Sequence, residues 1–412
     1  MNQITNRPAD LAMGLGIFCA FAIGLSSHGW FGIISFGLIL VSIYYLLRYR
    51  PLLALSKYER SYVWASVLFP AAILVNMYAH DNTTWQYFDN FSRLILVLPV
   101  FFAVRASSVK IDFLHWGIVV GAIVLGATAI YQRHELGIGR VYGNISNLNF
   151  PITFGNISLT LGILSLLCTS TVKARLGWLA YLVIVLACGL GVYGSLLSGT
   201  RGGWISLPFL VVILLGMLED VSIRKKWLIA ISLLFIFILV VMLEPSVARR
   251  VTTAWNEIHS IVFEGTMTNF SVGLRLQMWY VAFHGFLQSP MLGLGLGSYW
   301  EFKEAFVEQN GLFKHTIAFQ YAHSEPLHYL SVLGLVGFIP LMAFYISGFA
   351  LVFSKRKQAR QLAGMLLLIA VFRFDIGLTQ VQFIYHITTL FYAMLFAIVA
   401  GYMCRPVPEL ET

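Results

Sequence analysis

The chain has 412 residues, of which 58% are hydrophobic and only 11% charged, with a formal net charge of +9. Water-soluble domains carry roughly 25% charged residues, so composition excludes a soluble globular enzyme. Apolar runs recur throughout at roughly 20 residues, the length that crosses about 30 Å of hydrocarbon. The short alternating segments of a β-barrel are missing. The expected fold is an all-α polytopic integral membrane protein, and the positive charge is explained by topology rather than by nucleic acid.

Twelve spans are expected in chain order: Leu11–Ser26, Phe31–Leu47, Tyr62–Tyr78, Phe91–Val104, Phe113–Tyr131, Ile152–Leu167, Leu179–Leu197, Ile205–Leu218, Trp227–Leu243, Leu327–Phe353, Leu362–Ile376 and Phe383–Met403. The first lacks a small-residue cleavage site followed by a mature soluble domain and is read as a retained helix. The fourth is short and begins beside Arg93, and spans ten and eleven have room to be longer, tilted or broken. Domains divide accordingly: residues 1–243 carry spans one to nine, 244–325 a large loop with short helices, and 326–412 spans ten to twelve. Cys19, Cys168, Cys188 and Cys404 lie in or at the end of apolar runs without CxxC spacing, so no disulfide framework or zinc site is expected.

Sidedness follows from Lys and Arg. With the N-terminus inside, inner segments hold seventeen and outer segments eight, although the outer side has the longest loop. Both termini are therefore expected in the cytoplasm. Outer arginines are then informative, because topology does not require them there.

In chain order, Arg133 and Arg140 flank the outer loop Gln132–Asn149, a polar, cationic lid. Span seven ends in Ser198, Gly199, Thr200, Arg201, Gly202, Gly203 and Trp204, a tight hairpin whose glycines allow unusual backbone angles. Arg201 beside free amides suits a phosphate, which a guanidinium grips with two parallel hydrogen bonds; the competing reading is an interfacial arginine that snorkels. In the large loop, Val247–Val262 and Leu276–Leu287 have helical patterns. If helical, Arg275 and Trp279 share a face at i and i+4, for stacking on a sugar or as an ordinary surface pair. The run Pro290–Tyr299 has glycines at 293, 295 and 297 but no βαβ context, so it reads as a close-packed turn lining a pocket rather than a nucleotide loop. His323 precedes span ten; histidine is the side chain best poised to take a proton near neutrality, though a boundary histidine is more often structural. His323 and His328, five apart, do not form a metal pair, and neither HExxH nor a paired Asp motif occurs, so no metal or other cofactor is expected. Arg373 and Asp375 in span eleven are costly in hydrocarbon and read best as a structural ion pair.

Together these segments resemble the O-antigen ligase family with its polymerase and oligosaccharyltransferase relatives. The resemblance rests on Ser198–Trp204, Gly273–Trp279, Pro290–Tyr299 and His323–Leu327, in the family's order around one large outer loop between spans seven and ten. It implies a GT-C-like layout, with the loop facing the periplasm of the bacterial inner membrane. It carries the hairpin arginine to Arg201, the loop arginine to Arg275 and the histidine to His323, and the arginines before span six to Arg133 and Arg140. The position after the histidine, often asparagine in the family, is Ser324 here, which weakens any sugar-orienting role there. The implied reaction moves a glycan from undecaprenyl pyrophosphate to a sugar hydroxyl of lipid A-core, with inversion and without metal. His323 is then the base, Arg201 and Arg275 bind pyrophosphate, and Arg140, Arg133, Trp279 and Tyr299 contact the carrier headgroup or glycan. An O-antigen polymerase and a protein O-oligosaccharyltransferase are alternative enzymes. A lipid-linked glycan or solute transporter would place charge near mid-membrane, whereas the informative charges here lie at the boundary.

Overall fold

The computed structural model describes residues 8–27, 29–52, 54–144, 150–200, 204, 207–217, 222–228, 230–232, 235, 245–264 and 271–406. Among them the regular elements are helices. Ten are long and apolar enough to cross a membrane: Pro8–Ser26, Trp30–Tyr49, Lys57–Ala79, Gln86–Ala106, Asp112–His134, Pro151–Leu176, Leu179–Ser198, Glu325–Lys355, Arg360–Thr379 and His386–Met403. Each coincides with an expected span, and the chain is a multi-pass membrane protein. The eighth span appears as the shorter helix Leu207–Met217, and most of the ninth, Trp227–Leu243, lies outside the described residues.

Local chemistry explains two irregularities. The fourth span breaks at Val97 into Gln86–Leu96 and Leu98–Ala106, where Pro99 lacks the amide that would continue the ladder. The tenth kinks at Gly334, whose φ of 60° interrupts Glu325–Lys355. Free backbone groups cannot stay unpaired at membrane depth, and the glycine run supplies their partners. Leu294 and Gly295 donate to the Ser331 and Val332 carbonyls at 2.9 and 3.0 Å, while Leu335 and Val336 donate to Pro290 and Met291 at 2.9 and 3.1 Å. Gly293 and Gly334 both have positive φ, and a Cβ on either would lie within 2.7 Å of the other segment's backbone. Asn76 Nδ2 donates to the Leu292 and Val332 carbonyls. The expected close-packed turn is thus a backbone splint for a broken helix.

In the loop between the membrane helices, Pro245–Phe263 and Ser271–Gln288 contain the two expected helices. Buried Glu257 accepts from the Val272 amide at 2.6 Å, satisfying an orphan donor at the second helix's start. A third helix, Tyr299–Gln309, follows the glycine run. Gln277 Oε1 accepts from the Phe313 amide and the Thr316 hydroxyl, tying the loop's last turn to Ser271–Gln288.

Candidate active site

His323 closes the loop just before Glu325–Lys355. It has φ of 48°, a left-handed backbone that side-chain-bearing residues rarely adopt, and its half-buried ring stands edge-on to Phe319 at 5.2 Å. Its Nδ1 lies 3.1 Å from Gln380 Oε1, at the end of helix Arg360–Thr379. The Gln380 amide Nε2 donates to the Tyr385 hydroxyl at 3.2 Å. That orients the amide oxygen toward the histidine, so Nδ1 carries the hydrogen and the lone pair of the neutral ring sits on Nε2.

Two cations bear on this imidazole. Burial first, then the Arg275 guanidinium, holds it below its ordinary value of 6.5; acceptors at Gln380 and the Thr379 backbone oppose this, and Lys303 adds a smaller push downward. Arg275 is helical and half-buried, and its Nη1 donates to Ser271 Oγ at 3.0 Å. Trp279 lies one turn on, as its spacing requires, with a buried indole N–H that has no partner among the described residues.

Lys303, which sequence reasoning passed over, is fully buried on Tyr299–Gln309. Its ammonium donates to the Phe319 carbonyl and lies 4.4 Å from the Trp300 ring. Burial lowers it to about 8, because the charged form loses solvation. The available signal was a cation four residues after Tyr299 and three after Trp300 on one short helix. Gln380 was also passed over; its signal was the polar cluster Thr379, Gln380 and Gln382 between two apolar runs. Tyr299 is 2% exposed and its hydroxyl has no partner among the described residues.

The arginine loops form a second cluster. Arg140 Nε donates to the Ser198 carbonyl at 2.8 Å, and the Val141 amide donates to Leu197. Buried Gln132 accepts from the Tyr142 and Gly143 amides. Exposed Arg133 turns back on its own loop, donating to the Gly139 carbonyl at 2.7 Å. The hairpin's flanks are fixed: Gly199 has φ of 68°, Ser198 Oγ meets Thr200 Oγ1 at 2.8 Å, and Trp204 Nε1 donates to Ser195. Arg201, Gly202 and Gly203 lie outside the described residues.

A run of contacts joins the clusters. Thr200 Oγ1 donates to the Pro151 carbonyl, Phe150 packs edge-on to Tyr385 at 4.7 Å, and Tyr385 reaches His323 through Gln380. His323, Arg275 and Lys303 therefore share one end of the bundle with the hairpin flanks and Arg140. In span eleven, Arg373 reaches the Glu325 carboxylate at 3.7 Å, and Asp375 is buried beside it in sequence. Among the described residues no group of three or more His, Cys, Asp or Glu could hold a metal ion.

Residues 186–342 match the sequence model of the O-antigen ligase family. The chain is similar to that family over this segment, which is less than half of its length. The matched segment contains Arg201, Arg275, Trp279, Tyr299, Lys303 and His323, while Arg133, Arg140 and Gln380 lie outside it. An uncharacterized protein of Haemophilus influenzae is 25% identical over 309 residues, covering 74% of this chain and 76% of that protein. The similarity over residues 186–342 is to a family of glycan ligases.

Proposed function

We propose that the protein is an O-antigen ligase that transfers a glycan from undecaprenyl pyrophosphate to a sugar hydroxyl of lipid A-core. The observation that carries this reading is the neutral, oriented imidazole of His323 beside the Arg275 guanidinium. In this reading residues 244–325 form a periplasmic loop domain, both termini are cytoplasmic, and the site faces the periplasm of the inner membrane.

The acceptor hydroxyl attacks the anomeric carbon from the face opposite the diphosphate, and its proton passes to His323 Nε2. The bond between the anomeric carbon and the phosphate oxygen breaks with inversion, and the electron pair leaves on the carrier diphosphate. Arg275 and Arg201 stabilise that developing charge, while Arg140 and Arg133 hold the headgroup and Trp279 offers an aromatic face to the glycan. Gln380 is a positioning residue that fixes the tautomer. The diphosphate is already an activated leaving group, so the reaction requires no metal, nucleotide or other cofactor.

The test is purified protein in detergent with carrier-linked glycan and rough lipopolysaccharide, with and without chelator. Wild type forms glycan-bearing lipopolysaccharide in both conditions, and His323→Ala, folded to the same extent, does not. Transfer by His323→Ala at wild-type rate would remove the base. In a deletion strain, core without any polymer alongside unattached polymer supports the ligase; core capped with one repeat unit supports a polymerase.

A further inference from the structure

Beside the charged cluster lies a cavity of about 400 Å³ between the start of Gln86–Leu96, the end of the glycine run and the first turns of Glu325–Lys355. Its size falls within the range of small-ligand sites, about 300–1,000 Å³. None of its lining residues is Asp, Glu, Lys or Arg. The lining instead pairs aromatic rings, Tyr87, Trp300 and Tyr321 among them, with the amides of Gln86, Asn90 and Gln320. Three buried polar atoms at its wall have no partner among the described residues: the hydroxyls of Tyr299 and Tyr329, which are 2% and 0% exposed, and Nδ1 of His328, 4% exposed. The His328 ring is held edge-on by both Tyr299 at 5.0 Å and Tyr321 at 5.2 Å.

Buried polar atoms left unpaired cost free energy, so this wall is complete when a hydroxyl-bearing molecule fills it. No charged side chain lines it, and the Lys303 ammonium, beside the Trp300 ring, donates to the Phe319 carbonyl, so the wall offers a phosphate no direct ion pair. Aromatic faces with scattered amides and hydroxyls match a neutral pyranose, whose C–H face stacks and whose hydroxyls both donate and accept. We propose that this cavity is a saccharide subsite, separate from the cationic cluster, that holds one uncharged sugar residue next to the reacting centre. The assignment rests on the glycosyl-transfer reading for its substrate class, and the sugar belongs to either the donor glycan or the acceptor core.

The experiment measures binding without the lipid and the diphosphate. Full-length protein in detergent is titrated, by tryptophan fluorescence and by thermophoresis, with deacylated core oligosaccharide, with polysaccharide released from its carrier, and with undecaprenyl pyrophosphate bearing no glycan. Wild type is expected to bind one of the two saccharides, and which one identifies the source. Trp300→Ala and the double variant Gln86→Ala/Gln320→Ala should each weaken that saccharide roughly tenfold. The double variant, whose exposed amides lie outside the charged cluster, should leave undecaprenyl pyrophosphate binding unchanged. Wild-type saccharide affinity in both variants, or no saccharide binding to wild type at millimolar concentration, would overturn the subsite. Because these readouts need no turnover, saccharide binding by a protein that fails to transfer glycan would keep the subsite and reject the ligase.

Discussion

Each end of the bundle buries an arginine–glutamate pair, and the two are built differently. At one end Arg105 Nε donates to Glu59 at 2.8 Å, Arg105 Nη2 donates to the Ala54 carbonyl at 2.7 Å, and Glu59 accepts from the Ser56 amide in a capping box. At the other end Arg373 stands 3.7 Å from Glu325, and its Nε and Nη2 have no hydrogen-bond partner among the described residues. Its guanidinium lies over the Phe383 ring at 4.1 Å and lines a cavity of about 20 Å³, enough for roughly one water. The Glu325 carboxylate accepts instead from the Gln382 amide and the Tyr345 hydroxyl. The first pair is closed and fastens helices together. The second is loose, and its glutamate lies two residues from His323, the proposed base.

That contrast can be broken or sharpened by substitution. The largest expected effect is His323→Ala, which should slow transfer by roughly 10²–10⁴-fold, the range for a positioned base, with the thermal unfolding midpoint in detergent unchanged. Arg275→Ala should cost about 10²–10³-fold, as loss of one donor to a developing charge does, in the same assay. Arg105→Met should do the reverse. Stranding the Glu59 carboxylate should destabilise the fold by about 3–5 kcal/mol, read by chemical denaturation, while folded molecules keep their specific activity. Arg373→Met should cost less stability than Arg105→Met, because fewer of its bonds are made; equal losses would dissolve the contrast. Gln380→Ala should lower kcat roughly tenfold through a misaligned ring, and Gln380→Asn should restore less than half of that if reach to Nδ1 is what matters.

The smallest effect is on pH. His323 is held below 6.5, so the unfolded chain takes up its proton first as pH falls. Its contribution to stability is therefore present above about 6.5 and lost as pH drops below that value. If His323 is the base, as proposed, the rate should fall over the same side, because a protonated ring cannot accept the acceptor's proton. Lys303→Met removes a repelling charge and should move that acid limb upward by less than one pH unit, measured as kcat against pH.

Much of this arrangement was legible in the residues. Apolar run length gave the membrane helices because hydrocarbon thickness dictates it, and the i, i+4 spacing of Arg275 and Trp279 placed them on one helix face. The glycines of Pro290–Tyr299 announced a close turn. What they pack against, the broken backbone at Gly334, was hidden because the partners are some forty residues apart. Gln380 was hard to place for the same reason: it meets His323 from 57 residues away, and the polar cluster around it does not say what it faces. Lys303 read as a loop charge, because its spacing from Tyr299 and Trp300 marks a shared helix face but not that the ammonium is buried there. The expected partnership within Arg373 and Asp375 overlooked Glu325, which span eleven meets only through folding.

The central claim is that a neutral imidazole, fixed by the Gln380 amide and pressed by neighbouring cations, takes the proton of the attacking hydroxyl. The most direct measurement is kcat against pH for wild type and Gln380→Glu, using carrier-linked glycan and lipid A-core. A carboxylate at that position favours the charged ring, so the acid limb should lie below pH 6.5 in wild type and move up by about one unit or more in the variant. Superimposable profiles, or a wild-type rate without any acid limb, would contradict the account.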